Sequence, residues 1–166
     1  MGKLNERDGS RSAGKTGEKK RRWLESFVPY RLEMLLSPAW QSCPRPLHKV
    51  IERLCIEHLR HGGQNNGHLH VAYTQFKDYG ISKKSILSTL ELGEKLGFLE
   101  VIRGEGVVSG DIRPANTYRL TFVPAKGKHN PTDEWQTVTK EYASRLVEDY
   151  RSKNEIAVRA KRKEAA

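Results

Sequence analysis

Three features that follow one another between Thr74 and Phe122 predict an α+β fold for this chain. They are two short helical segments joined by a tight glycine turn, two strands of alternating polarity, and a long glycine-rich loop between those strands. That succession is the order of a winged helix-turn-helix with a small antiparallel sheet. A C-terminal helix and a disordered basic N-terminal tail extend it.

Residues 1–22 come first. They are rich in Gly, Ser, Lys and Arg, have almost nothing apolar to bury, and should be disordered when unbound. The domain is expected over 23–123. From Trp23, W-L-E-S-F-V-P-Y-R-L-E-M-L-L gathers aromatic and aliphatic residues that need a core. Ser37 followed by Pro38 reads as a cap with proline at the first helical position of a short turn, S-P-A-W-Q. A second proline-led start, C-P-R-P-L, opens the longest helix of the domain, from Leu47 to about Arg60, with Leu47, Val50, Ile51, Leu54 and Cys55 at core spacing. The run H-G-G-Q-N-N-G-H is a turn-forming loop before L-H-V-A-Y, a short strand placed to pair with the two later ones.

In T-Q-F-K-D-Y-G, Thr74 is placed to cap a short helix and Gly80 to end it in a left-handed conformation. Ile81 should be buried in the turn. Ser82 is the next expected cap, its oxygen accepting from the amides at 84 and 85, for a helix over 82–96 that stops at Gly97. On it Ile86, Leu90 and Gly93 share one face, Lys84, Ser88, Glu91 and Lys95 the opposite one, and Leu87 and Leu92 the flanks. F-L-E-V-I-R and T-Y-R-L-T-F follow as strands, the second with Tyr118, Leu120 and Phe122 on one side. Between them lies the wing, 104–116. Residues 124–133 read as a linker, with Thr132 or Asp133 capping a final helix from about Glu134. In 134–166, Val138, Tyr142, Leu146 and Tyr150 recur every four residues, a stripe suited either to docking on the domain or to a homodimer through this helix. Past Arg151 the composition becomes a basic tail.

The major groove of DNA admits one α-helix, whose N-terminal side chains reach base edges. Lys83, Lys84, Ser85 and Ser88 occupy that end of helix 82–96, and Thr74 and Gln75 begin the helix before it. A hairpin beside them would bring Arg103 and Arg113 near phosphates. The contrasting reading is that these charges only solvate a surface, the normal covering of a soluble domain. Composition bears on the choice: the net charge is +10 and the pI about 9.7 over 166 residues. The charge is uneven, with eight Lys or Arg against three acids in 1–22 and ten against seven in 124–166. Affinity for a polyanion therefore sits mainly in the tails, through counterion release, and the nearly balanced core must discriminate by shape and a few contacts. The tail lacks the Trp, Phe and Leu that anchor an interfacial helix, so no membrane partner is expected. Without a signal-peptide pattern, and with only Cys43 and Cys55, the chain is expected in the cytoplasm, on the nucleoid.

Two motifs invite other chemistry. G-S-R-S-A-G-K-T at 9–16 satisfies the phosphate-loop pattern, but no strand delivers it and no packed helix follows, so no nucleotide cofactor is expected. Cys55, His58 and His61, with His68 and His70, have short zinc-like spacings. Cys55 nevertheless falls on an apolar stripe and no paired finger spacing accompanies it, which favours a buried thiol and ordinary imidazoles over a metal site. No catalytic arrangement is fixed by a nucleophile turn, and no enzyme is expected.

Taken together, S-P-A-W (37–40), N-N-G-H-L-H-V, G-I-S-K-K-S-I-L-S-T-L, G-F-L-E-V and R-P-A-N-T-Y-R-L-T resemble a family of small winged helix-turn-helix proteins of alphaproteobacterial chromosomes, plasmids and prophages. These are related in shape to the N-terminal domains of plasmid replication initiators. The resemblance covers about residues 27 to 123. It implies DNA binding through the helix from Ser82 and through the wing, with Lys83, Lys84, Ser85 and Ser88 as readers. Two departures stand out. Gly93 occupies a position where leucine usually fills the core, weakening the helix by roughly 1 kcal/mol relative to alanine, and Glu91, Glu94, Glu100 and Glu105 place acids near the DNA face. The expected function is sequence-specific binding of double-stranded DNA as a transcriptional regulator. A replication or maintenance initiator of a plasmid or phage is the nearest alternative, less expected because such proteins typically carry two winged units. An adaptor that binds protein through the same fold is the second.

Overall fold

The computed structural model describes residues 27–104 and 115–164, with side chains as far as residue 155. The expected N-terminal tail, the phosphate-loop pattern at 9–16 and the wing residues 105–114, including Arg113, lie outside the described residues. The elements run α1 (Leu32–Leu36), α2 (Pro38–Gln41), α3 (Arg45–Arg60), β1 (Leu69–His70), α4 (Tyr73–Asp78), α5 (Ile86–Lys95), β2 (Leu99–Ile102), β3 (Thr117–Leu120), a 3-10 turn (Glu134–Thr137) and α6 (Lys140–Glu164). The fold is α+β, a set of helices around a small three-stranded antiparallel sheet.

Helix α3 forms where its sequence says it should. Pro44 and Pro46 fix extended and first-turn backbone at its start, and Leu47, Val50, Ile51, Leu54 and Cys55 make one buried stripe. Ser37 caps α2 as expected, its hydroxyl oxygen accepting from the Trp40 amide at 3.1 Å. The Trp40 ring then meets Phe98 edge-on at 5.5 Å and Tyr30 at 5.3 Å, which ties the N-terminal segment to the core.

The sheet order is β1-β3-β2. Leu69 stands opposite Tyr118, and Leu99 and Val101 stand opposite Leu120 and Tyr118, so all five side chains turn to the helices and are buried. Strand β1 is only two residues long, shorter than L-H-V-A-Y suggested, because Tyr73 already belongs to α4. Asn66 compensates from the preceding loop. Its side-chain amide donates to the carbonyls of Leu120 and Val123, both at 2.8 Å, and its Oδ1 accepts from the Leu120 amide at 2.7 Å. One buried side chain thus continues the ladder along the edge of β3.

Three expectations about the chain after β3 need correction. Residues 124–133 are tied to the domain near both ends: the Lys126 amide donates to Asn66 O, and the amides of Thr132 and Asp133 both donate to Thr121 O, while 126–130 are exposed. The side chains of Thr132 and Asp133 do not cap the turn at Glu134. Asp133 has a left-handed backbone and its carboxylate takes the Trp135 indole N–H and the Arg31 guanidinium instead. Finally, the buried face of α6 is Ala143, Leu146, Val147 and Tyr150, an i, i+3, i+4, i+7 stripe. Tyr142 is 38% exposed. The helix docks on the domain and continues unbroken through the segment read as a basic tail.

Gly97 makes that docking close. It has φ +74°, and a Cβ there would lie 2.5 Å from the backbone nitrogen of Trp135. Trp135 and Val138 consequently join the same core as the sheet and α3.

Candidate nucleic-acid interface

The segment α4–turn–α5 is held from beneath by two apolar anchors. Phe76 is buried edge-on against Tyr118, and Ile81 closes the turn with its amide donating back to Phe76 O at 3.1 Å. Gly80 takes φ +86° and ends α4, and Lys49 from α3 donates to its carbonyl at 3.2 Å. The start of α4 differs from expectation. Ala72 stands at the cap position, and the Gln75 side chain reaches back to accept the Ala72 amide at 2.8 Å. Thr74 is therefore an exposed first-turn residue and not a cap. Gln75, offered as a DNA contact, is occupied with the backbone.

Helix α5 also begins later than expected, at Ile86. Residues 83–85 form a turn, in which the carbonyl of Ser82 accepts from the Ser85 amide at 2.9 Å and from its hydroxyl at 3.0 Å. Ser85 occupies the cap position, and its own carbonyl accepts from the amide and hydroxyl of Thr89. Ser82 thus shapes the turn through its carbonyl. Lys83 and Lys84 are exposed on this turn, where the positive end of the helix dipole adds to their charge.

Along α5 the burial is wider than periodicity suggested. Ile86, Leu90 and Gly93 face the core as expected, and Thr89 and Leu92 are buried as well. Gly93 is not a missing leucine: a Cβ there would lie 2.7 Å from Leu99 Cδ2 and 2.9 Å from Leu47 Cδ1. Its small size lets β2 and α3 close on the helix.

Thr89 and Leu92 are covered by α6. The Thr89 hydroxyl bonds the Tyr150 hydroxyl at 3.1 Å, and Ser88, which donates to Ser85 O at 3.1 Å, lies 3.4 Å from Asn154 Oδ1. Ser88, Glu91 and Lys95 line the groove between the helices with Asp149 and Lys153. The polar stripe read as facing DNA is therefore half-covered, and Ser88 is held between its own backbone and α6. Leu87, 55% exposed, stands in the open part of the face.

The acids fall into two groups. Glu94 accepts from the Val101 amide at 2.9 Å and from Arg103 at 3.2 Å, while Glu100 accepts from Arg119 at 2.6 Å. Arg119 also bonds Glu134 at 2.7 Å. Burial of Glu134 opposes its ionisation, but the hydrogen bonds from Arg119 and Thr132 outweigh this and hold the carboxyl below its ordinary range. Glu91 is half-buried in the groove, and Glu105 lies outside the described residues. Arg103 is paired with Glu94 at a well-exposed position, where an ion pair contributes only about 0–1 kcal/mol, so exchange of its partner for a phosphate costs little.

The metal-like cluster disperses. Cys55 is buried beside the Tyr30 hydroxyl, and burial pushes its thiol up to about 11 and that of Cys43 up to about 12. Burial lowers the pKa of His58, whose Nδ1 has no hydrogen-bond partner, and His61 bonds Glu57 at 3.1 Å. Among the described residues, no three of His, Cys, Asp and Glu converge to hold a metal ion, and no helix is long and apolar enough to cross a membrane.

Tyr150, which sequence reasoning placed in the docking stripe, and Asn154 and Arg119, which it missed, also belong to this region. The first two shape the α5 face from another helix. Their spacing of four on α6 is a local sign of a shared side. Arg119 gathers Glu100 and Glu134, an arrangement with no local signature. No family model, no curated protein and no solved structure matches this chain.

Proposed function

We propose that this protein is a winged helix-turn-helix that binds double-stranded DNA in the bacterial cytoplasm as a sequence-specific transcriptional regulator. The observation that carries this reading is the order α3–β1–α4–α5–β2–β3 with a β1-β3-β2 antiparallel sheet, in which the turn into α5 bears Lys83 and Lys84 outward. In this reading the turn and first residues of α5 enter the major groove, with Lys83, Lys84 and Ser85 as contacts. The β2–β3 connection is the wing, Arg103 meets phosphate at its base, and Arg113 belongs to the same loop. Thr74 lies at the exposed start of α4, suited to a backbone contact. Ser88 supports the helix from beneath α6 and does not read bases.

Selection of bound fragments from a random duplex pool, followed by binding at two salt concentrations, tests the proposal. A specific reader retains preference for the selected site as salt rises. Combined Lys83→Ala and Lys84→Ala substitution should reduce discrimination between selected and random duplex by about 1–3 kcal/mol. An equal loss of affinity on every duplex would remove the assignment of this turn as the reader. Leu87 favours a second reading, because a large exposed apolar side chain in the open part of the face suits a protein surface as well as a thymine methyl. An adaptor of that kind would yield no enriched sequence from the pool.

A further inference from the structure

Helix α6 is anchored along α5 in one direction. The backbone at Trp135 lies against Gly97, just past the end of α5, whereas Tyr150 meets Thr89 and Asn154 meets Ser88, near its beginning. The two helices are therefore antiparallel, and α6 leaves the domain travelling past the N-terminal turn of α5. It remains helical to Glu164. Nine residues beyond Glu155 at about 1.5 Å each extend it by about 13 Å. In sequence those nine residues contain Arg159, Lys161, Arg162 and Lys163 against the single acid Glu164.

We infer that residues 156–164 form a helical arm that lies along the phosphate backbone of double-stranded DNA, on the flank beyond the N-terminal turn of α5. The inference rests on the DNA-binding reading above and adds a place and a direction to it. A free basic tail spreads its charge over every orientation, and ordering it on a ligand costs entropy. Here the burial of Leu146, Val147 and Tyr150 fixes the root of the arm, so its backbone leaves the domain in one direction. A length of about 13 Å corresponds to about 4 base pairs at roughly 3.4 Å each along a strand.

The test uses the full chain on its selected duplex, with hydroxyl-radical footprinting and the salt dependence of binding. The wild type should protect about 4 base pairs more on one flank than α5 and the wing account for. The combined variant Arg159→Gln, Lys161→Gln, Arg162→Gln and Lys163→Gln should lose that protection, and the slope of log K against log salt should become shallower by about 3 to 4. Insertion of Gly-Gly after Glu155 keeps every charge but breaks the direction, and should erase the one-sided protection while retaining much of the slope. Unchanged footprint and slope in the four-residue variant would overturn the arm and leave the DNA reading standing. Retained one-sided protection after the insertion would overturn its anchoring by α6. Loss of binding to phosphatidylserine vesicles in the four-residue variant, with DNA binding intact, would overturn it in favour of a lipid surface. Failure of the wild type to bind any duplex at low salt would remove the DNA reading and the arm together.

Discussion

Replacing Gly97 with alanine should do more harm than the same change at Gly127, although both glycines have φ +74°. An alanine in the left-handed region costs roughly 1–2 kcal/mol at either position. Gly127 has nothing within 4 Å of where the new methyl would be, so the backbone cost is its whole effect. At Gly97 the methyl would lie 2.5 Å from Trp135 N and 2.6 Å from the Glu134 carbonyl carbon. These are backbone atoms, and no rotamer change relieves the overlap. The 3-10 turn must move, partly withdrawing Trp135 from a site where it is 3% exposed and where full burial of a large apolar side chain stabilises by roughly 1.5–3 kcal/mol. The expected loss is therefore about 2–4 kcal/mol for Gly97→Ala and about 1–2 kcal/mol for Gly127→Ala. With an m-value of about 2 kcal/mol/M, the urea midpoint should fall by about 1–2 M in the first and by less than about 1 M in the second. Tryptophan fluorescence follows both transitions. Equal losses in the two variants would refute the argument that Gly97 is required by the approach of Trp135.

Gly93→Leu should destabilise by several kcal/mol, read as a lowered melting temperature, because Leu47 and Leu99 already occupy the space that leucine would need. Burial lowers the pKa of both His48 and His58, so the unfolded chain takes up these protons first as pH falls. Stability should be full above the unfolded value of about 6.5 and decline below it; unfolding midpoints at pH 7.5 and 5.5 measure this, and His58→Leu should flatten the decline. Glu134 acts further down, its contribution present above its ordinary value and lost as pH falls through its depressed one. Ser88→Ala should leave discrimination between duplexes nearly unchanged, in contrast to Lys83→Ala with Lys84→Ala, as competition binding would report.

Local signals were legible in the sequence. Ser37 with Pro38, the Leu47 to Cys55 stripe, Gly80 and the alternation through Leu120 each act within a few residues, and each element formed near its expected place. What escaped was set by partners distant in sequence. Periodicity separates buried from polar faces but does not distinguish water from a second helix, so Ser88, Glu91 and Lys95 read as one open stripe although Tyr150 and Asn154 lie across it. Residues 124–133 have the composition of a linker, yet the carbonyls of Asn66 and Thr121 collect three of their amides. A spacing of four selected Tyr142, where packing selects Ala143. Gly93 looked like a gap because the sequence does not reveal how closely Leu47 and Leu99 approach.

The Asn66 side chain joins positions 54 and 57 residues apart, and its bonds form only after β3 is in place. In kinetic terms its bonds are expected at the end of folding, because contacts with such long loop closure should follow the local helices and the β2–β3 pair. Weakening it should leave the folding rate nearly unchanged and raise the unfolding rate. This one amide therefore governs how long the sheet edge stays closed more than how fast it closes.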